Sequence, residues 1–157
     1  MTLVSEAPSL ASSNQATIDR PQQTWVDGGC LCGEVRYRLA SARARTMVCH
    51  CRACQKQSGS AFSVLLALPA ADLQLEGRLR TCVTVADSGR EVHRRYCGHC
   101  GSPVLTELPA RPGLAVIKAG TLDDPSWLQP ALHVWCKSAQ PWVALPAEVP
   151  CYQEQPL

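Results

Sequence analysis

Alternation with a period of two dominates the hydrophobic pattern of this chain. From Cys32 to Leu39, Val35, Tyr37 and Leu39 fall on one side and Glu34, Arg36 and Arg38 on the other, which predicts a half-buried strand. A second alternating stretch, Leu79, Thr81, Val83 and Val85, meets the turn signal Asp87-Ser88-Gly89, and Glu91 to Tyr96 is expected to return beside it as a hairpin. Ser60 to Leu68, Val104 to Glu107, Leu114 to Ala119 and His133 to Cys136 are further short strands on the same criterion. Helical periodicity is weak everywhere; Asp123 to Leu128 makes at most one turn of helix before Pro130. No internal repeat is visible. The pattern predicts a mainly β protein of antiparallel sheets.

Length turns that pattern into one domain, because 157 residues with 46% hydrophobic content suffice for a single core and not for two ordinary ones. Residues 1–24, rich in Ser, Ala, Gln, Pro and Thr, show no hydrophobic period and read as a flexible N-terminal tail. The domain is expected over 25–150, with a C-terminal tail at 151–157. Met1 to Trp25 contains Glu6, Asp19 and Arg20 and no continuous apolar stretch, so it does not read as a signal peptide. The longest apolar run, Ala61 to Leu68, stops at Pro69, well short of the roughly 20 residues that a membrane crossing needs. A soluble, cytoplasmic protein without a membrane partner is the expectation.

Composition adds a puzzle and its solution. Four Trp, three Tyr, one Phe and two Met supply few large core side chains, whereas there are ten Cys. In a reducing compartment clustered cysteines read as metal ligands or catalytic thiols before disulfides. Seven ligand thiolates (−7) and two divalent zinc ions (+4) would turn the formal +2 into −1, so no general attraction to nucleic acid follows.

Those seven form three groups: Cys30 and Cys32; Cys49, Cys51 and Cys54; Cys97 and Cys100. Residues two apart in extended chain project to the same side. Zinc with Zn–S bonds near 2.3 Å holds its sulfurs roughly 3.8 Å apart, and Cys30, Cys32, Cys97 and Cys100 together close a tetrahedron. Joining segments so far apart in the chain offsets a large loop-closure entropy, so this site is expected to be structural. The middle group offers only three thiolates. Three protein ligands and one exchangeable position describe a catalytic zinc; His50 or His99 as fourth ligand, or iron–sulfur ligation, are the alternatives.

Three thiolates make zinc a weak Lewis acid for water but allow it to hold an incoming thiol ionised at neutral pH. Such a centre needs cations or hydrogen-bond donors nearby. Arg52, Lys56, Lys118 and Lys137 flank the site segments, Lys56 being preferred because Ser58-Gly59-Ser60 beside it is expected to form a loop with free N–H groups for a carboxylate. Lys56, Ser58, Gly59 and His133 are therefore the candidate substrate-binding residues. Trp127, Trp135 and Trp142 are assigned to the core, and Cys82, Cys136 and Cys151 read as small buried hydrophobes or incidental thiols.

The segments Gly28-Gly29-Cys30-Leu31-Cys32-Gly33-Glu34-Val35-Arg36-Tyr37, Cys49-His50-Cys51-Arg52-Ala53-Cys54-Gln55-Lys56-Gln57-Ser58-Gly59 and Arg95-Tyr96-Cys97-Gly98-His99-Cys100-Gly101-Ser102 resemble the glutathione-dependent formaldehyde-activating enzyme family, which also includes centromere protein V. Ala119 to Pro125 and His133 to Trp142 match it too. The resemblance implies a β-tent fold, as in methionine sulfoxide reductase B, with two zincs per chain. Cys30, Cys32, Cys97 and Cys100 would be structural ligands, and Cys49, Cys51 and Cys54 catalytic ones. It further implies a lyase that adds glutathione to formaldehyde. Two rival classes remain: a zinc-organised binding module without turnover, and a peptide-thioether oxidoreductase using Cys136 or Cys151.

Overall fold

A computed structural model describes residues 24–156. The tail expected over 1–24 lies outside them except for Thr24. A small antiparallel sheet is built from β1 (Trp25–Gly29), β2 (Arg36–Ala40) and β5 (Leu73–Glu76), in that order. The large sheet contains β3 (Arg45–Cys49), β4 (Ser63–Pro69), β6 (Leu79–Val85), β7 (Glu91–Cys97), β8 (Pro103–Glu107), β9 (Leu114–Lys118) and β10 (Leu132–Val134). Its order is β10-β3-β4-β9-β8-β7-β6. Every pair in it is antiparallel but one, β10 with β3. Among the described residues one α-helix, α1 (Arg52–Ser58), forms, and it follows β3.

The core forms where the sheets face each other, as the alternation dictates. Val35, Tyr37 and Leu39 are buried while Glu34, Arg36 and Arg38 are exposed. Against them the large sheet contributes Leu66, Leu68, Leu105 and Ile117. Gly28 permits this closeness: a Cβ there would lie 2.3 Å from the Tyr37 hydroxyl and 2.6 Å from the Thr121 carbonyl oxygen. Tyr37 Oη in turn shares a 2.9 Å hydrogen bond with Thr121 Oγ1, and burial pushes its pKa up to about 12.

Over Asp123–Leu128, where at most one turn of helix was expected, the chain closes a single turn, Leu128 N–H to Pro125 O at 3.1 Å, and Asp123 is held by Arg36 and by the Asp27 carbonyl. Several expectations need correction. The loop expected around Lys56 is α1 instead. Cys51 Sγ accepts from Cys54 N at its start, Gly59 ends it in the left-handed conformation, and buried Gln55 ties it down. Strands β1, β3 and β5 were not foreseen. Strand β6 is an edge, so its alternation marks no buried face: Val83 is 56% and Val85 66% exposed. Beyond residue 150 the chain stays hydrogen-bonded, with His133 N–H to Pro150 O, Tyr152 N–H to His133 O and Cys136 N–H to Tyr152 O, all within 2.9 Å. Among the described residues no helix is long and apolar enough to cross a membrane.

Candidate metal centres and the cavity beside them

Two cysteine groups converge. Sulfurs of Cys30, Cys32, Cys97 and Cys100 lie within 4.8 Å of one another. Cys30 Sγ to Cys32 Sγ is 3.4 Å and Cys32 Sγ to Cys97 Sγ 3.7 Å, close to the roughly 3.8 Å edge of a zinc–sulfur tetrahedron. Cys30 and Cys32 sit between β1 and β2 of the small sheet, whereas Cys97 ends β7 of the large one and Cys100 lies in the turn to β8, so this group links the sheets. The turn after β7 is held by Gly101 N–H to Cys97 O at 3.0 Å, with Gly101 at φ +75°, where a glycine is favoured. Val35 N–H donates to Cys30 Sγ at 3.2 Å. Hydrogen bonds from the Ser102 hydroxyl and backbone hold Cys100 down to about 5. The Glu34 N–H favours the Cys32 thiolate, but partial desolvation and above all the adjoining thiols of Cys30, Cys100 and Cys97 outweigh it and push this exposed cysteine up to about 12.

The second group is Cys49, Cys51 and Cys54, also within 4.8 Å of one another, and among the described residues no fourth His, Cys, Asp or Glu donor joins them. Cys49 ends β3, Cys51 caps α1 and Cys54 lies in its first turn. Hydrogen bonds from Cys49 and Cys51, helped by the charges of Lys118 and Arg94, hold Cys54 down to about 3, whereas Cys49 is pushed up by the neighbouring thiols and by burial. Three crowded sulfurs cannot all ionise unless a cation replaces their protons. A divalent metal that prefers sulfur fits both groups on donor chemistry.

His50 is fully buried and stands apart from the three sulfurs, its Nε2 hydrogen-bonded to His133 Nδ1 at 2.9 Å and its Nδ1 without a partner. Burial pushes both histidines down, which favours their neutral forms. His99 lies beside the four-cysteine group, its Nδ1 3.9 Å from Glu34.

Cys49, Cys51 and Cys54 border a cavity of about 200 Å³ on the face of the large sheet away from the core. Lys118 and Trp135 line it too. Lys118 is buried, which pushes its pKa down, and its Nζ donates to Ser63 Oγ at 3.2 Å; Ser63 Oγ in turn donates to the Cys54 carbonyl at 3.3 Å. Among the candidate cations, Lys118 is thus on the wall. Lys56 is exposed on α1, Arg52 contacts Gln55, and Lys137 stacks over Trp135 and pairs with Glu154. Ser58 Oγ donates to the Cys54 carbonyl at 2.8 Å, and Gly59 ends the helix. Lys56, Ser58, Gly59 and His133 are not among the cavity-lining residues.

Two site residues escaped the sequence reading. Arg94 lines the cavity from β7; its position opposite Thr106 and, through it, Val116 is a matter of strand register. Asp87, at the tip of the β6–β7 hairpin, accepts from the N–H groups of Arg52 at 2.9 Å and Ala53 at 3.4 Å, so the hairpin is pinned to the start of α1 and forms one side of the cavity. The aspartate before Ser-Gly had been readable only as a turn residue. Trp127 packs on the core as expected and Trp135 is buried in a second apolar cluster with Cys49, Cys51 and Val134, whereas Trp142 is 76% exposed. Cys82 and Cys151 are exposed; Cys136 is buried, and burial together with the Cys151 thiol pushes it up to about 11.

Fold and site together define a single-domain, mainly β protein with two cysteine groups able to hold metal, one between sheets and one beside a cavity. The chain belongs to the glutathione-dependent formaldehyde-activating enzyme family, whose model matches residues 25–138. A crystal structure of a Rhodobacter sphaeroides protein is similar at 18% identity and a TM-score of 0.46, covering 66% of this chain and 91% of that one. No curated protein matches this chain.

Proposed function

We propose that this protein is a zinc-dependent enzyme of the carbon–sulfur lyase type, which adds a small thiol, glutathione, to a small electrophile such as formaldehyde. The observation that carries this reading is the three-sulfur group facing a cavity, with no fourth protein donor among the described residues. Zinc held by Cys49, Cys51 and Cys54 would keep the incoming thiol ionised at neutral pH. The chain's own residues do the rest. Lys118 and Arg94 place positive charge beside the crowded sulfurs, where the added negative charge of a thiolate would otherwise be costly. Ser58 and Ser63 fix the Cys54 carbonyl, and Gln55 ties α1 to the His50 carbonyl just after β3 and to the Ser138 carbonyl beyond β10. Lys56 and Gly59, in the last turn and at the C-terminal cap of α1, would meet an extended thiol's carboxylate outside the cavity.

The family's named reactants support glutathione and formaldehyde as the pair to test first. Zinc analysis on the purified full chain should give two ions per chain, and calorimetry with glutathione should give saturable heat. An absence of heat on protein holding both ions would overturn this reading in favour of a zinc-organised binding module. The exposed valines of edge strand β6 favour that second reading, since an open edge can pair with a partner's strand.

A further inference from the structure

The cavity beside Cys49, Cys51 and Cys54 is larger and more apolar than formaldehyde requires. On a measure by which one water needs roughly 10–15 Å³, it offers about 200 Å³. Its floor follows from register. Met47 opposes Leu65, which opposes Lys118; in the next row Ala67 opposes Val116, which opposes Thr106. All six line the cavity. They belong to the outer face of the sheet, since Leu66 and Ile117, one position along, point into the core. A sheet face turned to water normally carries polar residues. Here the outer face is apolar over the stretch that leads away from the cysteines, with cationic Arg94 and Lys118 at its borders.

Glutathione does not account for such a floor. It is charged at both ends, and the cationic residues suit its carboxylates. The apolar stretch is left for the other reactant. We propose that the electrophile taken by this site is an aldehyde with an apolar chain of several carbons, which lies along Met47, Leu65, Ala67 and Val116 with its carbonyl at the cysteines. The proposal rests on the reading of the site as a thiol–electrophile enzyme and names the electrophile's class. In the reaction the thiol sulfur bonds to the carbonyl carbon, the π pair of the C=O moves to oxygen, and the proton lost by the thiol ends on that oxygen. The product is a hemithioacetal, with no change of oxidation state.

The test uses the full chain with its metal content verified and follows glutathione addition to propanal, butanal, pentanal and hexanal, whose carbonyls have nearly equal intrinsic reactivity. A methylene moved fully from water to the floor is worth about fourfold in affinity, so kcat/KM should rise about two- to fourfold per carbon. A flat or falling series would overturn the proposal. Ala67→Phe, which fills the middle of the floor, should lower the hexanal-to-propanal ratio at least tenfold; an unchanged ratio counts against it. Binding supplies an independent readout: S-hexylglutathione should bind at least tenfold more tightly than S-methylglutathione, and equal affinities would overturn the proposal. If no aldehyde is turned over, the enzyme reading fails, and the two thioethers still decide whether the floor holds an alkyl chain.

Discussion

The two cysteine groups share an element and differ in everything around it. The four-cysteine group joins the sheets near the surface: Cys97 is fully buried, yet Cys32 is exposed. Its donors are complete, and the surrounding turns donate N–H groups to its sulfurs. The three-cysteine group is on the outer face of one sheet, at the end of β3 and the start of α1, with Lys118 and Arg94 lining the cavity beside it. On the function proposed above, a complete donor set at a junction of sheets would hold the fold together, and an incomplete one at a cavity would leave a position for a reactant. Neither burial nor cysteine number separates the roles alone. Connectivity and the neighbouring cavity do.

Removing one donor from each group tests that contrast. Cys97→Ala should have the largest effect, abolishing cooperative thermal unfolding, because it unlinks the sheets and leaves a void in the core. A variant that keeps its melting transition within a few degrees of the parent would break the comparison. Cys54→Ala is expected to lose one metal ion and all thiol binding with the β circular-dichroism signal intact; metal analysis and glutathione calorimetry read both. Loss of its fold would put the second group in the structural class as well.

Smaller effects sharpen the same boundary. Asp87→Ala removes the acceptor that pins the hairpin to α1, and by analogy with lost N-caps should cost about 1 kcal/mol. Hydrogen exchange should rise in residues 86–92 and at the start of α1 but not near Cys97. Asp123→Asn, on the small-sheet side, should cost least. The Arg36 guanidinium holds the Asp123 carboxyl below its ordinary pKa of 3.8, so the ion pair stabilises fully above that value, and this contribution is lost as pH falls through the lower folded-state pKa. Melting temperatures of parent and variant should differ slightly at pH 7 and converge in acid.

Much of this was readable in the chain because it is local. Two-residue alternation placed Val35, Tyr37 and Leu39 inside, and close cysteine spacing grouped the ligands, since side-chain direction in extended chain depends only on neighbours. Helix α1 was hidden because seven residues carry too little periodicity, and its N-cap is a cysteine whose sulfur was assigned to metal alone.

The sequence by itself determined strands β2, β4, β8 and β9 of the core and which cysteines could act together. Only the tertiary structure decided that one group links two sheets, that Lys118 and Arg94 rather than Lys56 line the cavity, and that an apolar floor runs from the cysteines across three strands. Those features are made by residues far apart in the chain, and their meeting depends on sheet order and register, which no local pattern encodes.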